Sequence, residues 1–258
     1  MVNELLSKSL KLPSQCWVKQ KLPKTFFKRN FELTISEKKF LDEGNIIQQM
    51  EVTALVNVET SNISTFKDEY VTYEEIIFIT VQTTTEQFDR QKNKIVDFIH
   101  KFIPNPTVVI LHDIKQLLFS VAEKRINQND NSKSVVEKAY ISKSISFENQ
   151  DNATSKFLDE LSFEKANKIN LFNYYQHFIQ CCIGLQTAQI NGTFVARPYQ
   201  RSKEDAYVME EIETLKYSIA ALENQAKKET QLTEMVFINT EINKHRSKIE
   251  ELTNKLSR

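Results

Sequence analysis

Two groups of residues in this chain have types and spacing that could do chemistry. Glu74 and Glu75 open one apolar run, and Asp113-Ile114-Lys115 follows another. A restriction-type nuclease needs an acidic residue on one strand and a Glu/Asp-x-Lys on the next, so that carboxylates hold Mg²⁺ while the lysine assists the attacking water. Asp113 and Lys115 have that spacing, although they fall in a turn after the run rather than within it. His112-Asp113 could move protons, but no serine or cysteine nucleophile stands in a matching context, and a solvated turn is the simpler reading. The second group is basic. Five of the eleven residues from Lys19 to Arg29 are Lys or Arg. Lys19, Lys21, Lys24, Lys28 and Arg29 would neutralise phosphates, and Phe26 and Phe27 between them would stack on bases, making this a candidate nucleic-acid site. The competing reading is a solvated lobe whose two phenylalanines anchor it to the core.

The elements that must position the acidic group lie between Tyr73 and Val121. Glu74 to Val81 is short, β-branched and aromatic, and suits a strand covered on both faces. Thr83 to Thr85 offer an N-cap, with Glu86 in the first turn. Phe88, Ile95, Phe98, Ile99 and Phe102 then recur at helical steps, with Arg90, Lys92, Lys94 and Asp97 opposite. Pro104 and Pro106 end that helix. Thr107 to Leu111 is a second buried strand, His112-Asp113 turns the chain, and Leu117 to Val121 is a third strand. The first two strands should be parallel, joined by a right-handed βαβ crossover, and the second and third should form an antiparallel hairpin. A mixed sheet with the helix on one face is expected.

Composition narrows the function. Basic and acidic residues balance at 34 each, so no global field points to nucleic acid. Residues 1–30 are locally basic, with seven Lys and Arg against Glu4 alone. Only Gly44, Gly184 and Gly192 are glycines, too few for a phosphate loop or a dinucleotide fingerprint, and no cofactor is expected. Cys16, Cys181 and Cys182 give neither a disulfide framework nor zinc-ligand spacing; no metal site is expected, and a reducing cytoplasm is the natural setting. No apolar run approaches the ~18–20 residues that span a bilayer, and no signal-peptide core is seen at the N-terminus.

Elsewhere, Leu12 to Lys24 reads as extended segments punctuated by prolines. Ser36 to Asp42 is a short helix started by Thr34 or Ser36. Ile46 to Val58 is a strand with an irregular middle, and Thr60 to Lys67 is a loop. Val135 to Ser142 is a strand, between surface loops at Asn127 to Ser134 and Asn149 to Ser155. Lys156 to Leu161 is a brief helix, and Asn170 to Ile190 a longer apolar one ended by Asn191-Gly192. Thr193 to Ser202 is a linker. From Lys203 to Arg258 there is neither Gly nor Pro. Val208, Ile212, Leu215, Ile219, Leu222 and Ala226 step in fours and threes, a heptad seam. Ile238, Ile242, His245, Ile249, Leu252 and Leu256 form a second seam, out of phase with the first by two residues. The phase break predicts a helical hairpin or a broken helix. Such narrow seams bury themselves against each other, the sheet domain or another chain, so these leucines, isoleucines and Val208 are candidate partner contacts.

The order of these segments resembles the bacterial family known as domain of unknown function 4391. The resemblance is carried by Leu12-Pro13 with Lys19-Gln20-Lys21-Leu22-Pro23-Lys24, by Glu75-Ile76, by Ile103-Pro104-Asn105-Pro106 before an apolar strand, and by Lys227-Lys228-Glu229-Thr230-Gln231-Leu232 with Asn239. It implies a companion of helicases and DNA methyltransferases in restriction or phage-defence gene clusters, and it supplies no catalytic residues. The expectation is thus an α+β protein: a mixed-sheet domain over residues 1–195 with a helical arm over 203–258. It would act as a non-enzymatic adaptor for a DNA-processing helicase or methyltransferase partner, with self-association through the arm as another use of it. Direct DNA or RNA binding and a metal-dependent nuclease are the alternatives.

Overall fold

The fold is built outward from a parallel pair of strands and the helix that joins them. The computed structural model describes residues 2–127 and 130–257. In chain order the first elements are α1 (Val2–Leu10), β1 (Trp17–Lys21), α2 (Lys24–Asn30), α3 (Ile35–Asp42), β2 (Gln49–Asn57), α4 (Val58–Ser61), β3 (Phe66–Lys67) and β4 (Thr72–Tyr73). The central unit is β5 (Glu75–Gln82), α5 (Thr85–Phe102), β6 (Thr107–His112) and β7 (Gln116–Asn127). After it come β8 (Asp130–Ile141), β9 (Ile145–Ser146), α6 (Asn152–Glu160), α7 (Leu171–Asn191), α8 (Tyr199–Ala226) and α9 (Leu232–Leu256).

The main sheet has seven strands in the order β1-β2-β5-β6-β7-β8, with β9 also on β7. β5 and β6 are parallel, Ile77 facing Thr107 and Gln82 facing His112, and β6–β7 is the expected antiparallel hairpin. This is an α+β fold with a mixed sheet. Alternation along β5 and β6 supplies two cores. Ile76, Phe78, Val108 and Ile110 face α1, α6 and α7, while Ile79, Val81, Val109 and Leu111 face α2, α3 and α5. Thr84 caps α5, its hydroxyl accepting from the Gln87 amide, and Thr34 makes a capping box with Glu37 at the start of α3. Asn170 caps α7, and Gly192, at φ 78°, ends it in the left-handed region that favours glycine.

Several expectations are corrected. Residues 2–10 form a helix, with Leu6 and Leu10 buried. The extended segments read as far as Lys24 give way to a helix over Lys24–Asn30, because Pro23 sits just ahead of its first turn, where a missing amide costs nothing. The polar stretch Asn127 to Ser134 is largely strand, since β7 runs to Asn127 and β8 begins at Asp130; residues 128 and 129 lie outside the described residues. The loop placed at Asn149 to Ser155 gives way to α6 at Asn152, where the Asp151 side chain accepts from the Thr154 amide. The irregular middle of β2 is a register shift between Val52 and Ala54.

Candidate docking arm

Both helices of the C-terminal region face each other as a hairpin, and their phase break is the turn between Ala226 and Leu232. That turn is closed by Glu229, whose Oε1 accepts from the Thr230 and Gln231 amides at 2.8 Å each. At 1.5 Å per residue, α8 is about 42 Å long.

The root of the hairpin is fastened to the body in three ways. Val208, Ile212, Leu252 and Leu256 are buried together, with Ile190 of α7 against them. Asp205, on α8, is buried and binds Arg197 Nη1 at 3.0 and 3.1 Å and Arg201 Nε at 3.3 Å. Burial raises the Asp205 carboxyl above its ordinary range against the pull of both arginines. The same arginines donate to the last carbonyls of α9: Arg197 Nη2 to Leu256 O and Arg201 Nη2 to Lys255 O, both at 2.8 Å. Positive charge there complements the negative end of the helix dipole. The third fastening is a carboxylate, Glu123 on β7, which accepts from the Tyr140 and Tyr199 hydroxyls at 3.0 Å and pairs with Lys203 Nζ at 3.1 Å. Burial and then the Glu123 charge raise the Tyr140 phenol, so it remains a proton donor.

The seam residues expected to meet a partner are therefore occupied within the chain. Val208, Ile212, Ile238, Ile242, Leu252 and Leu256 are buried, and Leu215, Ile219, Leu222 and Ile249 are half-buried. Two facing helices close their own seams, and a reading along one helix could not show which helix would supply the cover. Uncovered apolar surface on the arm lies off the seams: at the far end Leu232 is 74 % exposed, Val236 59 % and Phe237 62 %, and on α8 Tyr207 and Tyr217 are exposed too.

The basic group is divided by the fold. Phe27 is fully buried, its ring 5.2 Å from Phe98, so it cannot offer a face to a base; Phe26 is half-buried against Phe27 and Phe31. Lys28 pairs with Asp42, and burial lowers the pKa of Lys24. Lys19, Lys21 and Arg29 are exposed. Lys19 and Lys21 lie on β1, an edge of the sheet, where the register shifts between Trp17 and Gln20 and Lys19 takes φ 53°. Lysines and a bulge on an edge strand discourage pairing with another chain.

The acidic group does not converge. Asp113 Oδ1 accepts from the Lys115 and Gln116 amides at 2.6 and 2.8 Å, closing the β6–β7 turn. Glu75 begins β5, while His112 pairs with Gln82 at the other end of that strand. At ~3.3 Å per residue this sets Asp113 roughly 25 Å from Glu75. Among the described residues, no cluster of three or more His, Cys, Asp or Glu could hold a metal ion.

Sequence reasoning also missed Lys124. Its side chain is buried and donates to Ile103 O at 2.6 Å and Asn105 O at 2.9 Å, fastening the proline turn that ends α5. Burial pushes Lys124 down to about 7, while the carbonyls and the end of the helix favour its charge. An unfolded lysine titrates near ~10.4, so between these values the unfolded chain binds the extra proton and stability rises with pH. Buried thiols, with pKa values raised, act oppositely from about 8.5 upward. Measured against Lys124→Met, the protein should therefore gain stability from pH ~7 to ~8.5, by at most ~1.4 kcal/mol per pH unit. Parallel urea-unfolding curves for the two proteins across that range would show that Lys124 keeps its proton.

Fold and arm together define an α+β protein with a helical hairpin fastened to one face of its core. No helix among the described residues is long and apolar enough to cross a membrane. The chain belongs to the family described as Domain of unknown function (DUF4391), which it matches over residues 10–249. No curated protein and no solved structure matches it.

Proposed function

We propose that this protein is a non-enzymatic adaptor, which uses its helical arm to dock onto a DNA-processing enzyme of the helicase or methyltransferase class in the cytoplasm. The observation that carries this reading is the contrast along the arm. Its root is held by buried apolar side chains and by paired arginines, and its far end leaves three large apolar side chains in water. A monomer gains nothing from that exposure, and clustered apolar surface of this kind marks interaction sites. The role in restriction or phage defence is the expectation attached to the family resemblance.

The test is co-expression with the helicase and methyltransferase products of the genes flanking its own. Cutting the chain at Lys203 would open the core, because Ala206 is built into it and Lys203 pairs with Glu123. Replacing residues 217–244 by a short glycine-rich turn keeps Val208, Ile212, Leu252 and Leu256. The shortened protein should melt like the parent and lose its partner. Retention of the partner by the shortened, folded protein would remove the arm from this role.

A further inference from the structure

The outer face of α9 does not resemble an ordinary solvated helix face. At 100° per residue, Leu232, Thr233, Val236, Phe237, Thr240 and Asn243 share one stripe, and every one of them is exposed. These six carry no charge, and Lys244, exposed on the same arc beside Phe237, closes the stripe. The exposed side of α8 is mixed, with Glu204, Glu210, Glu211, Glu213 and Lys216 interspersed with exposed Tyr207 and Tyr217. Other exposed large apolar side chains, such as Ile35, Ile114 and Ile169, lie in separate parts of the chain. The aliphatic and phenyl anchors Leu232, Val236 and Phe237 lie together at the start of α9, at the turn end of the arm.

We infer that the α9 stripe is the contact itself, and that its occupant is an uncharged, apolar groove on a larger protein, which receives α9 with Leu232, Val236 and Phe237 as anchors. This inference rests on the adaptor reading above and names the residues and the partner surface for it. Anchors at i and i+4 with an adjacent aromatic are the pattern by which an amphipathic helix lies in a groove. Area decides against a second copy of this chain. Three side chains of this size expose about 400 Å² per copy, so two stripes face to face would bury ~800 Å², below the ~1,200 Å² at which stable interfaces begin. A groove that wraps the flanks of α9 buries more than a flat mate can. Charge decides against nucleic acid: binding there is driven by several Lys and Arg on phosphates, and the stripe offers Lys244 alone, paired with Glu241.

Val236→Lys and Phe237→Lys test this in the full-length chain, because both side chains are exposed and the seam behind them is untouched. Paired with the flanking-gene helicase or methyltransferase that the parent binds, each variant should bind about a hundred-fold more weakly while its melting temperature is unchanged. Equal binding by parent and variants would overturn the stripe as the contact and leave the adaptor reading standing. Failure of the parent to bind any of these enzymes would overturn the adaptor reading and this inference with it. A parent that runs as a dimer at micromolar concentration, and as a monomer with Phe237→Lys, would make the occupant a second copy and overturn the assignment to a larger partner.

Discussion

Arg197→Met should lower stability by about 3 kcal/mol, seen as a fall in melting temperature of roughly 6–12 °C. The loss comes from what Arg197 leaves behind. The Asp205 side chain is only 4 % exposed, and burial already raises its pKa with both arginines present. Breaking a buried pair from one side typically costs ~3–5 kcal/mol, because an uncompensated charge remains. Arg201, still 3.3 Å from Asp205, keeps the figure at the lower end. The Leu256 carbonyl loses a donor too, so amide exchange should quicken in the last turn of α9 before it does in the sheet. Removing both partners distinguishes this account from simple loss of packing. Arg197→Met with Asp205→Leu should be more stable than Arg197→Met alone, since an apolar pair leaves no buried charge. A double variant as unstable as the single one would mean that the ion pair is not what holds the root.

Tyr175→Phe and Tyr174→Phe should move stability in different directions, although the two tyrosines are adjacent and both fully buried. Tyr175 reaches from α7 to the place where β6 and β7 part. Its hydroxyl accepts from the Ala122 amide at 2.9 Å and lies 2.9 and 3.0 Å from the Thr107 and Ala122 carbonyls, to one of which it donates. It stands in for a missing ladder bond. Removing it strands an amide and a carbonyl in the core, at ~1–3 kcal/mol each, so a loss of about 2–4 kcal/mol is expected. The Tyr174 hydroxyl, by contrast, is buried without a hydrogen-bond partner. Its removal discards an unsatisfied polar group and should leave stability unchanged or slightly raised. Chemical denaturation of the two variants side by side checks both expectations. Equal losses would mean that the hydroxyl partners do not distinguish these positions.

How much of this was legible depends on how far apart the cooperating residues lie. The β5–α5–β6 unit could be read because local periodicity, a Thr cap and a proline stop all agree within a short stretch of chain. The hairpin was foreshadowed by a phase break that one straight helix could not absorb. The first helix went unassigned, although Leu6 and Leu10, one turn apart, carried the signal. The strand at Asp130 was hidden because its polar residues resemble a loop, and pairing with β7 overrides that composition. The basic cluster admitted two readings because Phe27 looks the same in sequence whether it stacks on a base or on Phe98. Glu123 with Tyr199, Tyr175 with Ala122, and Arg197 with the end of α9 span 76, 53 and 59 residues, and no spacing rule reaches across such separations.

The three thiols have a consequence of their own. Cys16, Cys181 and Cys182 are all buried, Cys16 donating to Thr60 O, and burial pushes Cys182 up to about 12 and Cys181 well above its ordinary value. Alkylating agents and peroxides attack thiolates, and here almost none exist at neutral pH. While folded, the chain should meet thiol reagents as though it contained no cysteine. The moment α7 opens, two neighbouring thiols become reactive together, so oxidative stress would spare the intact molecule and permanently mark the one that has come apart.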